Sequence, residues 1–121
     1  MQKNNEGIVF DKLDENLREL MNVPSYKIGA YTFDVEKRLL KLKGESVKLT
    51  KKEAYLLVLF AANVGTVLDR SNILSSIWND HTHYNSRSMD VYMCKMRKYL
   101  SKDSNIFIIN IHGRGYRMVI D

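Results

Sequence analysis

The stretch Ser86-Arg87-Ser88-Met89-Asp90-Val91-Tyr92-Met93-Cys94-Lys95-Met96-Arg97-Lys98-Tyr99-Leu100-Ser101 decides how this chain is read. At roughly 100° per residue, Met89, Met93, Met96 and Leu100 fall on one stripe that must face a core. Ser88, Tyr92, Lys95 and Tyr99 form the neighbouring stripe, and Arg87, Val91 and Lys98 extend it away from the core. The spacing predicts a helix capped by Asn85 or Ser86 and running to about Ser101. Its open side is basic and interleaved with aromatics, the composition of a helix that lies in a major groove. Taken singly, Lys95 and Lys98 are more often solvated lysines, and Tyr92 and Tyr99 also read as partly buried packing residues, Tyr99 more than Tyr92.

Working outward from this helix, Asp69 is placed to cap a shorter one from Arg70 to Trp78, with Ile73, Leu74 and Ile77 on one face. The polar loop Asn79 to Tyr84 joins the two, giving a helix-turn-helix order. Upstream, Thr50-Lys51-Lys52-Glu53 is a T-x-x-E capping box that opens a nearly all-apolar helix, Ala54 to Ala62, ending near Asn63 to Gly65. Val67 and Leu68 read as a short extended connection. Three strand-like runs, Tyr26 to Phe33, Arg38 to Lys43 and Ser46 to Leu49, predict a small antiparallel sheet. Downstream, Asn105 to Ile111 and Gly115 to Ile120 flank His112-Gly113-Arg114-Gly115, a hairpin whose thin tip can carry Arg114 into a minor groove. Residues 1 to 24 read as a linker or tail in which Leu13, Leu17 and Leu20 suggest a short amphipathic helix over Asp11 to Met21. The organisation is therefore α+β, with one domain over residues 25–121.

Composition limits the alternatives. The chain has 121 residues, 45% hydrophobic and 27% charged, with a single proline, which is the make-up of one folded globular domain. Cys94 is the sole cysteine, which excludes an internal disulfide and a multi-cysteine zinc site. Up to Pro24 there are three basic against five acidic residues, a net of −2; from Ser25 there are 16 against nine, a net of +7. The positive field thus belongs to the predicted domain and favours a polyanionic partner. No apolar run approaches the ~20 residues of a membrane span, and no secretory leader pattern stands at the start, so a cytoplasmic protein is expected. His81 and His83 with distant His112 and Cys94 match no common zinc spacing, and Asp80 beside His81 has no nucleophile context. Gly113-Arg114-Gly115 is too short to cradle a phosphate before a helix. Neither a catalytic residue nor a metal or cofactor site is expected.

Four stretches in order carry a family resemblance: Leu49-Thr50-Lys51-Lys52-Glu53 with Leu56 and Leu57; Val67-Leu68-Asp69-Arg70 through Leu74 to Ile77-Trp78; Arg87-Ser88-Met89-Asp90-Val91 with Met96-Arg97-Lys98; and Gly113-Arg114-Gly115-Tyr116-Arg117. From about Tyr26 onward the chain resembles the winged-helix effector domain of the OmpR/PhoB family of bacterial two-component response regulators. The resemblance implies a winged helix-turn-helix: a four-stranded N-terminal sheet, three helices and a C-terminal β-hairpin wing. It implies sequence-specific binding of double-stranded DNA, on direct repeats, by a domain that is monomeric in solution. Tyr92 and Lys95, with Val91, match groove-reading positions. Arg87, Ser88, Arg97 and Lys98 match phosphate contacts, joined by Arg70 and Trp78 from the second helix. Asn110, His112 and Arg114 match wing contacts. Asn79, Asp80, His81, Thr82, His83 and Tyr84 match the loop that addresses RNA polymerase. A receiver domain and a sensor kinase are further implied partners. Tyr92, Cys94 and His112 depart from the residues usual at their positions, which bears on the target sequence. A winged-helix module for protein or RNA contacts is the alternative reading, since one fold hosts several functions.

Overall fold

The computed structural model describes residues 14–78 and 83–121. The chain enters through α1 (Glu15–Leu20), capped by Asp14, whose Oδ1 accepts the Asn16 amide at 2.7 Å. Leu17 of this helix is fully buried in the common core. Two further bonds bind the segment to the domain: Tyr26 Oη donates to the Leu20 carbonyl at 2.7 Å, and Ser76 Oγ donates to Asp14 Oδ2 at 3.1 Å. In the segment expected as a linker with a short amphipathic helix, Leu17 thus joins the core and Leu20 and Met21 pack against it.

Four strands follow, β1 (Ser25–Ile28), β2 (Tyr31–Asp34), β3 (Leu39–Leu42) and β4 (Glu45–Lys48), paired antiparallel in chain order. The run Tyr26 to Phe33, expected as one strand, is two. Gly29 at φ +56° turns the chain, so Ile28 pairs Tyr31 and Tyr26 pairs Phe33. The β3–β4 turn places both Lys43 (φ 49°) and Gly44 (φ 83°) in the left-handed region, the combination that matches strand twist in a two-residue hairpin. Ile28, Tyr31, Phe33 and Leu40 join α2 (Lys51–Ala61) in one buried core, with β1 packed on the helix. The capping box of α2 is complete: the Glu53 amide donates to Thr50 Oγ1 at 3.3 Å and the Thr50 amide to Glu53 Oε1 at 2.9 Å. Leu56 to Phe60 are all buried, as the absence of a polar stripe predicts for a central helix.

Then come β5 (Val67–Asp69), α3 (Arg70–Ile73), α4 (His83–Tyr99), β6 (Ile106–Ile111) and β7 (Gly115–Ile120). The expected connection Val67-Leu68 is a strand, which pairs β7 to give a second antiparallel sheet of order β5-β7-β6. Two or three residues are too few for a period, and only the tertiary partner defines them. α3 passes at Leu74 into π-type geometry through Trp78, a wider turn than the regular helix expected there and one frequent at functional sites. Asp69 stands at the N-cap but makes no side-chain capping bond, because its carboxylate pairs with Arg114. α4 begins two residues before the expected Asn85.

Candidate nucleic-acid interface

α4 sorts its side chains as its sequence period requires. Met89, Met93, Met96 and Leu100 are buried in the common core, where α4 packs on α2 and the Leu74–Trp78 turn, while Arg87, Val91, Cys94, Lys95 and Lys98 are exposed. Ser88, Tyr92 and Tyr99 lie half-buried on the flank. The open strip is therefore centred on Arg87, Val91, Cys94 and Lys98, somewhat round from the expected Ser88–Tyr92–Lys95–Tyr99 line. Val91 is 55% exposed, an apolar side chain held in water on a basic strip. Cys94, whose position departs from the usual family residue, shares this strip between Val91 and Lys98.

The flank of α4 facing α2 is ordered by aromatics and one buried acid. Trp78 and Tyr92 meet edge to face at 5.4 Å between ring centres, and Lys52 Nζ stands 5.6 Å from the Trp78 ring. At 8% exposure Trp78, matched by resemblance to a phosphate contact, packs beneath α4. Lys95 Nζ lies 5.6 Å from the Tyr92 ring and 3.6 Å from Oε2 of Glu53, which is only 2% exposed. Tyr99 Oη donates to Glu53 Oε1 at 3.1 Å, and burial together with this carboxylate raises the Tyr99 phenol above its ordinary value.

Two arginines expected at phosphates are engaged inside the molecule. Arg70 Nη2 donates to Asp90 Oδ1 at 2.8 Å, to the Ser86 carbonyl at 2.8 Å and to Ser86 Oγ at 2.7 Å, and Nη1 donates to Tyr116 Oη at 2.8 Å. It thus ties α3, α4 and β7 together. Asp90 is the single acid between His83 and Tyr99, and this isolation in a basic helix was the sequence clue to an internal partner. Arg97 Nη2 donates to the Ile108 carbonyl at 2.9 Å and to Asn110 Oδ1 at 3.0 Å, fastening the last turns of α4 to β6. Both engagements share one cause: a guanidinium carries five donors in a rigid fork, met for Arg70 by a carbonyl, hydroxyls and a carboxylate and for the still exposed Arg97 by a carbonyl and an amide oxygen.

The hairpin between β6 and β7 stands beside α4. Its tip, His112, Gly113 and Arg114, is exposed, with Gly113 at φ +73°. The tip is tied back at its base: the Arg70 amide donates to the Arg114 carbonyl at 2.8 Å, and Arg114 Nη2 pairs with Asp69 Oδ1 at 3.2 Å. Gly115 passes so close to β5 that a Cβ there would collide with the Leu68 carbonyl oxygen. Asn79, Asp80, His81 and Thr82 lie outside the described residues, as do the side chains of His83 and Tyr84. Among the described residues no helix is long and apolar enough to cross a membrane.

The family model described as "Transcriptional regulatory protein, C terminal" matches residues 44–118. The transcriptional regulatory protein RprY of Bacteroides fragilis is 48% identical over 94 residues, which are 78% of this chain and 40% of that protein. Response regulator DrrB of Thermotoga maritima, described as an OmpR/PhoB homolog, superposes with a TM-score of 0.68 at 29% identity, covering 87% of this chain and 48% of that one. The DNA-binding domain of Klebsiella pneumoniae RstA, solved in complex with the RstA box, gives 0.65 at 26% identity, covering 78% and 96%. The chain belongs to the OmpR/PhoB-type family of transcriptional regulators and corresponds to their C-terminal, winged-helix effector domain. It spans about 40% of the length of the RprY relative.

Proposed function

We propose that this domain is the effector of a two-component response regulator and controls transcription by sequence-specific binding to double-stranded DNA. The observation that carries the reading is the exposed basic strip of α4 beside the exposed wing tip, α4 being tied to α3 by the Arg70 fork and to β6 by the Arg97 fork. A rigid helix with such a strip fits the B-form major groove, whereas the deep, narrow major groove of A-form RNA excludes one. On this reading Arg87, Ser88 and Lys98 meet phosphates and set register, Val91, Tyr92 and Lys95 face base edges, and Asn110, His112 and Arg114 approach the adjacent minor groove. Arg70, Arg97 and Trp78 hold these groups in place. Resemblance supports three wider proposals: pairing of monomeric domains on direct repeats, contact with RNA polymerase through residues 79–84, and control by a receiver domain and sensor kinase in the cytoplasm.

The test is selection of binding sites from a random duplex library, followed by titration of the winning and a scrambled duplex at several salt concentrations. Binding at least ~10³ tighter to the winner, with a steep salt slope, is the expected result. Equal, weak binding to both, or preferential capture by an RNA competitor, overturns the reading.

A further inference from the structure

On the basic strip of α4, Lys95 has partners within the domain. Lys95 Nζ lies between two neighbours, the Tyr92 ring at 5.6 Å and Glu53 Oε2 at 3.6 Å. Glu53 itself has little freedom to move: Oε1 is held by the Thr50 amide at 2.9 Å and the Tyr99 hydroxyl at 3.1 Å, and its side chain is 2% exposed. Capping α2 requires only one carboxyl oxygen at this position, and glutamine serves as well as glutamate. The negative charge and the second oxygen are therefore surplus to the cap. They face the one lysine of α4 that leans toward α2, a lysine still 52% exposed.

We infer that Glu53 is a positioning residue for DNA recognition: its buried carboxylate holds the Lys95 ammonium over Tyr92, so that Lys95 meets the groove from one fixed place. Two consequences follow from general physics. A tethered lysine has already given up much of its rotamer freedom before binding, so a well-placed base-edge acceptor gains more from it than a randomly placed phosphate does. A lysine already beside a carboxylate also neutralises less phosphate charge, so it adds less to non-specific, salt-dependent affinity. Glu53 thereby raises discrimination by restraining the non-specific term as well as by aiming the specific one. The inference rests on the DNA-binding reading of α4, with Lys95 at the groove.

The experiment compares wild type, E53Q, K95A and the double variant on the selected and scrambled duplexes across a salt series, with Tm measured for each. The amide side chain that E53Q introduces keeps an oxygen for the Thr50 amide and the Tyr99 hydroxyl, so this variant is expected to fold with nearly the wild-type Tm. Its ratio of scrambled to selected Kd is expected to fall about threefold to tenfold, the worth of one rotamer-rich side chain left unordered. Its salt slope on scrambled duplex is expected to steepen by up to about 0.9, one more phosphate neutralised. In the K95A background the same E53Q change is expected to do nothing. An unchanged ratio and slope in E53Q, or an equal loss on both duplexes with a lowered Tm, overturns the inference while leaving the DNA reading intact. If K95A itself alters neither duplex, the placement of Lys95 at the groove fails, and the role of Glu53 with it.

Discussion

Lys98 and Arg70 are both basic and both belong to the helix-turn-helix, yet their surroundings give them opposite work. Lys98 is exposed in the last turn of α4, where it also suits the negative end of the helix dipole. Arg70 has its fork filled by Ser86, Asp90 and Tyr116. Lys98→Ala is therefore expected to weaken selected and scrambled duplexes alike and to make the salt slope shallower by about one unit, measured by titration at several salt concentrations. A slope equal to wild type would remove Lys98 from the phosphate contacts. Neither Lys98 nor Arg70 shows this difference in sequence. The partners of Arg70 lie 16 to 46 residues away; the lone acid Asp90 signals that some cation meets it, but no local pattern says which.

Among the elements, the wing owes its position to a close approach as well as to its pairing with β6. At the base of the hairpin Gly115 faces Asp69 across the ladder and stands against the Leu68 carbonyl. Gly115→Ala forces β5 away from β7 and is expected to destabilise the domain by about 1–3 kcal/mol, read as a drop in Tm and in the denaturation midpoint. Wild-type stability in this variant would show that β5 yields freely. The hairpin was legible because glycines and alternating strands are local signals. β5 was not, since its three residues acquire strand character only by pairing β7. The π-type stretch over Leu74–Trp78 was equally hidden: it sets the last turn so that Trp78 meets Tyr92 edge to face, and Tyr92 belongs to a different helix.

Across the whole molecule, two ties join distant parts of the chain. Leu17 of α1 is fully buried in the core that α2 centres. Leu17→Ala is expected to cost at least about 2 kcal/mol, measured by chemical denaturation; no change would mean that α1 is dispensable to the fold. Asp103 links the loop before β6 to the first sheet, accepting the Asn105 amide at 2.9 Å and the Ala30 amide at 2.8 Å. These bonds, that to Asn105 first, hold its carboxyl below the usual aspartate value. A depressed folded-state value contributes stability that is present above the unfolded value, near pH 4, and lost as pH falls through the folded one. The Tm of wild type is expected to fall more steeply between pH 5 and about pH 3 than that of Asp103→Asn, whose amide does not titrate. Parallel curves would remove Asp103 from the acid response.

The residues near one another in sequence determined much of this protein unaided. Thr50 and Glu53 are three apart and close a capping box, and Met89, Met93, Met96 and Leu100 share a stripe by helical period alone. The same is true of the basic strip, because a helix that buries one side must show the other. Folding decided which cations on that strip are available. Arg70 of the preceding helix was engaged by the Ser86 carbonyl and the Asp90 carboxylate, Arg97, still exposed, by the Ile108 carbonyl, and Lys95 was leaned against Glu53, while Arg87 and Lys98 stayed exposed to solvent. Helical period is a property of a few consecutive residues. The availability of a charge depends on every group that comes within about 4 Å of it, and only the tertiary structure brings those groups together.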